Sequence, residues 1–296
     1  MGTTLYSVCE GKEVGNTIFL IASQINYGKE FLEKDDVLRI PVAKLNMKAG
    51  NMALDGCDHK MAYNYFLVSL SLLPDDSWEN LYDLSLRLNF LKARAANSSC
   101  RYNEAELTLQ TIFKKARCLQ DKLPAYFLQI ISECLLYLTL YASTVVYCFN
   151  LTHPVAGPLV FLAQGNPNEA FDTCSSILAQ LGETVPDAVT EEMVEDLIQE
   201  TLSMYSVYGD DWLGRKMEDE NLRNVVKFYS AIAIAAYFCK PSSMSAYHVC
   251  KMVQISLRNG ICEYTPIAFM KLSHNAFNKA KDVMFSNAAL IQYVFH

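Results

Sequence analysis

The sequence lacks the short motifs by which nucleotide-binding and hydrolytic enzymes are usually recognised. It contains no GxxxxGK[ST] phosphate loop, no HRD or DFG triplet of a protein kinase, no GxSxG elbow and no GxGxxG turn. Each motif positions a phosphate, a nucleophile or a cofactor, so their joint absence argues against catalysis by this chain. We therefore expect no catalytic residue, no cofactor and no enzymatic activity.

Positive charge is scarce and dispersed. The chain has 25 Lys and Arg against 32 Asp and Glu, a net charge of −7, and no run of basic residues exceeds a pair such as Lys114-Lys115. Nucleic-acid-binding domains carry a basic patch or stripe, so nucleic acid is not an expected partner. The composition is 51% hydrophobic and 19% charged, which supports a large folded core.

The ten cysteines show neither a CxxC pair nor the dense spacing of a disulfide framework. Most occupy apolar helical positions, where a free thiol behaves as a small hydrophobic side chain. The N-terminus lacks a basic segment followed by an apolar one, so no secretory signal is expected. Together these features predict a reducing, cytoplasmic location.

A metal site is weakly suggested by His248 and Cys250, with Cys239 and Cys262 nearby in sequence. The HxC spacing places its two side chains on opposite sides of a helix, and there is no second close pair. We interpret these residues as packing positions and expect no metal.

Residues 134–152 form a 19-residue uncharged run, close to the ~20 apolar residues that span a bilayer. Ser, Thr and Tyr dilute its hydrophobicity, Glu133 flanks it, and no basic residue follows to set an orientation. We expect a buried helix here, and a membrane-inserted helical protein is the alternative.

Apolar residues recur with helical spacing along most of the chain, and no convincing period-two alternation occurs. The fold class is therefore predicted to be all-α. Helices are expected at about 16–28, 35–53, 58–73, 81–97, 102–118, 121–140, 168–181, 190–208, 220–239, 243–259, 264–279 and 281–294.

Three of these helices share a pattern of a small Ala followed by larger apolar residues at every fourth position. A small residue lets a neighbouring helix approach, and the stripe puts the larger side chains on the face that it meets. The pattern predicts a solenoid of stacked helical hairpins, which more often binds proteins than performs chemistry. The repeat positions are Ala62, Phe66 and Leu70; Ala105, Leu109 and Phe113; and Ala170, Cys174 and Leu178.

The spacing of these copies indicates an insertion. Ala105 follows Ala62 by 43 residues, whereas Ala170 follows Ala105 by 65 residues. The excess falls on a Pro- and Gly-containing segment without an amphipathic pattern. The expected organisation is a poorly ordered N-terminus (1–15), helical repeats (16–140), an atypical insertion (141–163), further repeats (164–270) and a divergent C-terminal helix (271–296).

The order of several short segments resembles the tetratricopeptide-like helical region of very large signalling kinases. The segments include YFLVSLSLLPDDSWENLYDLSLRLNFLKARAANSSCRYNEAELTLQTIFKKAR at 65–117, GNPNEAFDTCSSILAQLGETVP at 165–186 and FYSAIAIAAYFCKPSSMSAYHVCKMVQISLRNGICEYTPIAF at 228–269. Such proteins join a serine/threonine-kinase-like domain, a signal-transduction ATPase, this helical region, a GAF sensor and a histidine kinase. The resemblance covers most of residues 16–269 and includes no catalytic signature.

The resemblance implies a non-catalytic region that couples or senses within a multidomain kinase through protein–protein contacts. Its partners would be other proteins or the adjoining ATPase and kinase domains. Those domains are not in this sequence, and the segment at 141–163 has no counterpart in the pattern, so we expect a fragment of a longer protein. A free-standing tetratricopeptide-like adaptor is the alternative.

The repeat assignment predicts opposite outcomes for two variants. Deleting 143–161 should leave the chain folded, because the segment contributes little to a shared helical core. Ala105→Arg should lower the free energy of unfolding by several kcal/mol, because it places a charge where helices meet. Thermal melts of both variants beside the parent test this; unfolding by the deletion together with an unchanged Ala105→Arg melt would refute the assignment.

Overall fold

The computed structural model describes residues 17–28, 36–149, 166–208, 211–269 and 272, with the backbone alone at 36, 135–149 and 211. Every regular element in these ranges is helical, and the only extended pairing there is an isolated parallel bridge between Lys216 and Ile261. The predicted all-α class is confirmed for this part of the chain.

Eleven α-helices are numbered here in chain order within the described ranges, with one 3₁₀ turn between the ninth and tenth. They are α1 (Thr17–Asn26), α2 (Asp36–Asp55), α3 (His59–Ser71), α4 (Ser77–Asn80), α5 (Tyr82–Ser98), α6 (Tyr102–Lys115), α7 (Leu119–Phe149), α8 (Pro167–Gln180), α9 (Glu191–Tyr208), the 3₁₀ turn (Asp211–Gly214), α10 (Glu220–Cys239) and α11 (Ser242–Asn259).

The chain forms two compact units, which divide inside α7. Unit 1 is Met1–Leu128 and unit 2 is Gln129–His296. In unit 1, α2 packs on both α1 and α3, and α5 packs on α3, α4 and α6. In unit 2, α10 packs on α8 and α11, while α9 and the 3₁₀ turn pack on α11.

The turns that join α2 to α3 and α5 to α6 have the same backbone geometry. Cys57 and Cys100 occupy the left-handed region, with φ of 59° and 60°. At the first turn the amides of Cys57 and Asp58 donate to the carbonyls of Leu54 and Ala53, at 2.9 and 2.8 Å. This is the Schellman motif, in which a left-handed residue ends a helix and satisfies its last carbonyls.

The second turn repeats the motif 43 residues later. The amides of Cys100 and Arg101 donate to the carbonyls of Asn97 and Ala96, at 3.1 and 2.9 Å. The helices that follow, α3 and α6, also begin 43 residues apart, at His59 and Tyr102. Unit 1 therefore contains two helical hairpins, and equivalent residues of their turns are 43 positions apart in the sequence.

At Gly50 the backbone of α2 comes close to α3. A Cβ atom at this position would lie 2.5 Å from Cε1 of Phe66, whose side chain is completely buried. Ala62 is also completely buried one turn before Phe66. The two helices can therefore pack at this distance only because Gly50 has no side chain.

The repeat positions of unit 1 all contribute to buried clusters. Ala62, Phe66 and Ala105 belong to one cluster, against which Leu70 packs. Leu109 belongs to a second, against which Phe113 packs.

In unit 2 all three repeat positions of the third copy are buried on α8. Ala170 is 1% exposed, and Cys174 and Leu178 are completely buried. All nine positions are thus either buried or packed against a buried cluster.

Two regions differ from the sequence expectation. The link after Pro74 contains the short helix α4. Helix α7 continues to Phe149, nine residues past its expected end, and so enters the expected insertion at 141–163.

The expected N-terminus (1–15), residues 150–163 of the insertion and the C-terminal segment beyond residue 272 lie outside the described residues. The expected helix at 264–279 is described as helical at 265–269 and 272.

We predict that Gly50→Ala destabilises unit 1 by about 2 kcal/mol, because the new methyl group would overlap the buried ring of Phe66. Gly56→Ala is the matched control, since its Cβ would lie an ordinary 3.5 Å from the carbonyl oxygen of Met52. Urea unfolding followed by far-ultraviolet circular dichroism measures both. Equal stability of the two variants would contradict the close approach.

A candidate protein-interaction groove

A groove of about 450 Å³ lies between α1 and α3 on unit 1. On one side the lining residues come from the last turn of α1 and the residue that follows it. On the other side they lie on α3 with the i, i+3, i+4, i+7 spacing of one helical face. The lining residues are Ser23, Asn26, Tyr27, Met61, Asn64, Tyr65 and Val68.

Helix α1 is amphipathic, and its apolar side faces the rest of unit 1. Ile18, Ile21, Ala22 and Ile25 are buried, at the i, i+3, i+4, i+7 spacing of one helical face. On the remaining face of α1, Ser23 lines the groove. Burial of the aliphatic face thus determines which residues of α1 line the groove.

A pair of amides fixes α1 against α2. Asn26 Nδ2 donates to Asn46 Oδ1 at 2.8 Å, and Asn46 Nδ2 donates to Asn26 Oδ1 at 3.0 Å. Asn46 is completely buried and also donates to the carbonyl of Val42 at 3.0 Å. Because a buried amide without partners is costly, this reciprocal pair specifies one position of α1.

Tyr65 forms the floor of the groove and links α1 to α3. Its hydroxyl lies 3.3 Å from Ser23 Oγ and donates to the carbonyl of Phe19 at 3.4 Å. The rings of Phe19 and Tyr65 stack with centroids 6.0 Å apart. Tyr65 is only 8% exposed, so most of its ring packs inside unit 1.

One lining residue and two further residues of α1 and α3 expose large apolar side chains. Tyr27, which lines the groove, is 87% exposed, while Leu20 and Leu67, which do not line it, are 57% and 45% exposed. Asn64 on the opposite side is also exposed. Exposed large apolar side chains beside a preformed groove are typical of surfaces that bind other proteins.

The groove carries almost no charge. Helix α1 has no charged residue, and Lys60 is the only Lys, Arg, Asp or Glu of α3. None of the lining residues is a carboxylate, an ammonium or a thiol. The groove therefore offers apolar contacts together with amide and hydroxyl hydrogen bonds.

None of the nine repeat positions predicted from sequence lines this groove. Ala62 and Phe66 alternate along α3 with the lining residues Met61, Asn64 and Tyr65. The sequence analysis identified the buried face of α3 and missed the groove on its other side. The one signal for the groove was the absence of charge along α1 and α3.

Metal and membrane features are also absent from the part of the chain that the structure describes. No group of three or more His, Cys, Asp or Glu side chains in this part is arranged to hold a metal ion. No described helix combines the length and hydropathy that a membrane span requires. The side chains of 135–149 and the whole of 150–152, which belong to the uncharged run, lie outside the described set.

We predict that Asn46→Ala lowers the free energy of unfolding of unit 1 by about 2 kcal/mol, because it leaves the amide of Asn26 without its buried partner. Asn64→Ala removes the same side chain from an exposed position and should change stability by less than about 0.5 kcal/mol. Urea midpoints of the two variants distinguish these outcomes. Similar midpoints would show that the amide pair does not hold α1 in place.

Comparisons with known proteins do not assign a family to this chain. No family model, no curated protein and no solved structure matches it. The interpretation of the groove consequently rests on the contacts of its own residues.

Proposed function

We propose that this chain is a non-catalytic, tetratricopeptide-like helical-repeat region that acts through protein–protein contacts. The observation that carries the proposal is the uncharged groove between α1 and α3, lined by the exposed Tyr27 and by the buried, hydrogen-bonded Tyr65. Stacked helical hairpins present extended surfaces of this kind to partner proteins.

The repeated hairpin supports the helical-repeat part of the proposal. Cys57 and Cys100 make the same left-handed turn 43 residues apart, and an Ala follows each by five residues. The close packing of Gly50 on Phe66 shows why such a hairpin needs small residues at fixed positions. A repeat of one supersecondary unit is the basis of solenoid architecture.

The chemistry of the groove limits the partner segment. Without charges on its walls, the groove cannot select an acidic or a basic peptide by ion pairing. Its aromatic lining residues favour apolar side chains, while Asn26 and Asn64 flank them with amide groups. The fitting partner is a charge-poor segment, helical or extended, with two or three large apolar residues.

The resemblance to the helical region of multidomain kinases supplies the proposed setting. There, a protein bound to the groove would bias an adjoining ATPase or kinase domain, and the chain would couple or sense rather than catalyse. The cysteines of the described residues are all free, which supports a reducing, cytoplasmic location. A free-standing adaptor would use the same groove without adjoining domains.

The proposal is tested by selecting peptides that bind the full chain. A phage-displayed library of random 16-residue peptides is panned against the immobilised protein, and enriched peptides are measured by fluorescence anisotropy. We expect charge-poor peptides with dissociation constants in about the micromolar range. Asn64→Lys should weaken their binding by at least about tenfold, because it places a charge among apolar contacts.

Leu107→Lys is the matched control, since Leu107 is 70% exposed on α6 and does not line the groove. This variant should bind the selected peptides like the parent. Failure to enrich any peptide, or equal binding to both lysine variants, would contradict the groove as the interaction site.

A further inference from the structure

His248 is an isolated polar side chain in the interior of unit 2. It lies on α11 and is completely buried. Neither Nδ1 nor Nε2 has a hydrogen-bond partner. A neutral imidazole tolerates this environment at some cost, whereas an imidazolium would place an unpaired charge in the core.

Aromatic rings from three helices surround this imidazole. The ring centroid of Phe171 on α8 is 6.1 Å from that of His248, and Tyr229 on α10 is at 5.7 Å. Tyr247 on α11 itself is at 5.4 Å. His248 is therefore located where α8, α10 and α11 come together.

The carboxylate of this region already has a partner. Tyr229 donates its hydroxyl hydrogen to Glu183 Oε2 at 2.9 Å, and Glu183 follows the C-terminal end of α8. Burial and the neighbouring Glu183 carboxylate raise the pKa of Tyr229 well above its usual range, so Tyr229 remains a neutral donor. Neither nitrogen of His248 is hydrogen-bonded to this carboxylate, so a proton on His248 would have no hydrogen-bonded counter-charge.

The other titratable groups around His248 do not offer a counter-charge. Lys240, at the end of α10, lies 4.7 Å from the Phe171 ring centroid, and Lys251 lies 5.5 Å from that of Tyr247. Both are cations and oppose a second positive charge. On α8 and α11, burial raises the pKa values of the Cys174 and Cys250 thiols, which keeps both protonated and neutral.

Helix α9, which packs on α11, adds no titratable group from its buried face. That face consists of Val194, Leu197, Ile198 and Thr201. Thr201 accepts a hydrogen bond from Gln254 on α11 at 3.1 Å. Neutral side chains therefore approach α11 from this direction as well.

We propose that His248 is an acid-sensitive switch of unit 2, in which uptake of one proton expels the imidazole from its aromatic enclosure and loosens the packing of α8, α10 and α11. The switch would make the fold of unit 2 respond to pH. It does not depend on the groove of unit 1 or on the function proposed for it.

The direction of the pH effect follows from linkage. Burial lowers the pKa of His248 from 6.5 to about 4 in the folded chain. Well above pH 6.5 neither the folded nor the unfolded chain binds a proton at His248, so this residue does not make the free energy of unfolding depend on pH there. As the pH falls below 6.5 the unfolded chain binds a proton and the folded chain does not until about pH 4, so stability falls.

The two tryptophans of the chain allow unit 2 to be followed by itself. Trp212 is completely buried in unit 2 and stacks on Phe269, whereas Trp78 belongs to unit 1. In a full-length Trp78→Phe protein, urea unfolding monitored by fluorescence reports Trp212 alone. From pH 8 to pH 5 the unfolding equilibrium constant should rise roughly 30-fold through His248.

His248→Leu, in the same background, should remove most of this pH dependence, because Leu has a similar volume and no proton to bind. Glu183→Gln is the control for the neighbouring carboxylate and should retain it. His59→Gln removes a histidine of unit 1 and should also retain it. An equal pH dependence in the parent and in His248→Leu would overturn the proposal.

A direct measurement covers the case in which His248→Leu does not fold. Hydrogen–deuterium exchange at the imidazole C2 position, read by mass spectrometry on the unsubstituted chain, gives the titration midpoint of each histidine. The midpoint of His248 should lie near pH 4. A midpoint near 6.5 would overturn the proposal, because the folded chain would then bind the proton as readily as the unfolded one.

Discussion

Unit 1 depends on the close approach of α2 and α3 at Gly50. The missing side chain at this position leaves space for the Phe66 ring, which fills the interface between the two helices. Since α1 packs on α2 and also contacts Tyr65 of α3, the position of α1 follows from the same approach. The groove between α1 and α3 thus depends on the packing of Gly50 against the Phe66 ring.

Unit 2 also has polar groups distributed through its core. Ser243 donates to the carbonyl of Val189 at 2.8 Å, and the hydroxyls of Ser256 and Thr265 lie 3.0 Å apart. Each of these buried groups has a partner, and partnered groups cost little. His248 is the exception on α11, and it is for this reason that its protonation has a structural effect.

A second constraint in unit 2 is the turn after α11. Gly260 has φ of 95°, and a Cβ there would lie 2.4 Å from the carbonyl oxygen of Arg215. Arg215 in turn donates from Nη2 to the carbonyl of Leu257 at 3.0 Å, near the C-terminal end of α11. Backbone and side-chain hydrogen bonds of Arg215 therefore hold the segment after the 3₁₀ turn against the end of α11.

Helical periodicity and capping residues made much of the fold predictable. Asp58 before α3 and Asn166 before α8 accept hydrogen bonds from the amides of Met61 and Glu169, as N-cap residues do. The turn at Cys57 could not be predicted, because a left-handed cysteine has no sequence signature and Gly is the usual residue there.

The candidate site was harder to predict than the fold. The stripe of Ala62 and Phe66 marks a buried face, and burial follows from periodicity. The groove depends instead on which two helices become neighbours, and the contact between Ser23 and Tyr65 joins residues 42 positions apart. The isolation of His248 likewise results from packing between helices, which a single sequence does not specify.

The matching turns at Cys57 and Cys100 have a consequence for how such a chain can change length. A duplication or loss of 43 residues between equivalent points would join one hairpin to a copy of itself, with every turn residue and helix start still in register. An insertion within a helix that is not close to a whole number of turns would rotate its buried stripe away from its neighbours. Unit 1 can therefore be lengthened by one whole hairpin without disturbing the packing within each hairpin. Duplication of the gene segment that encodes one hairpin would have this effect.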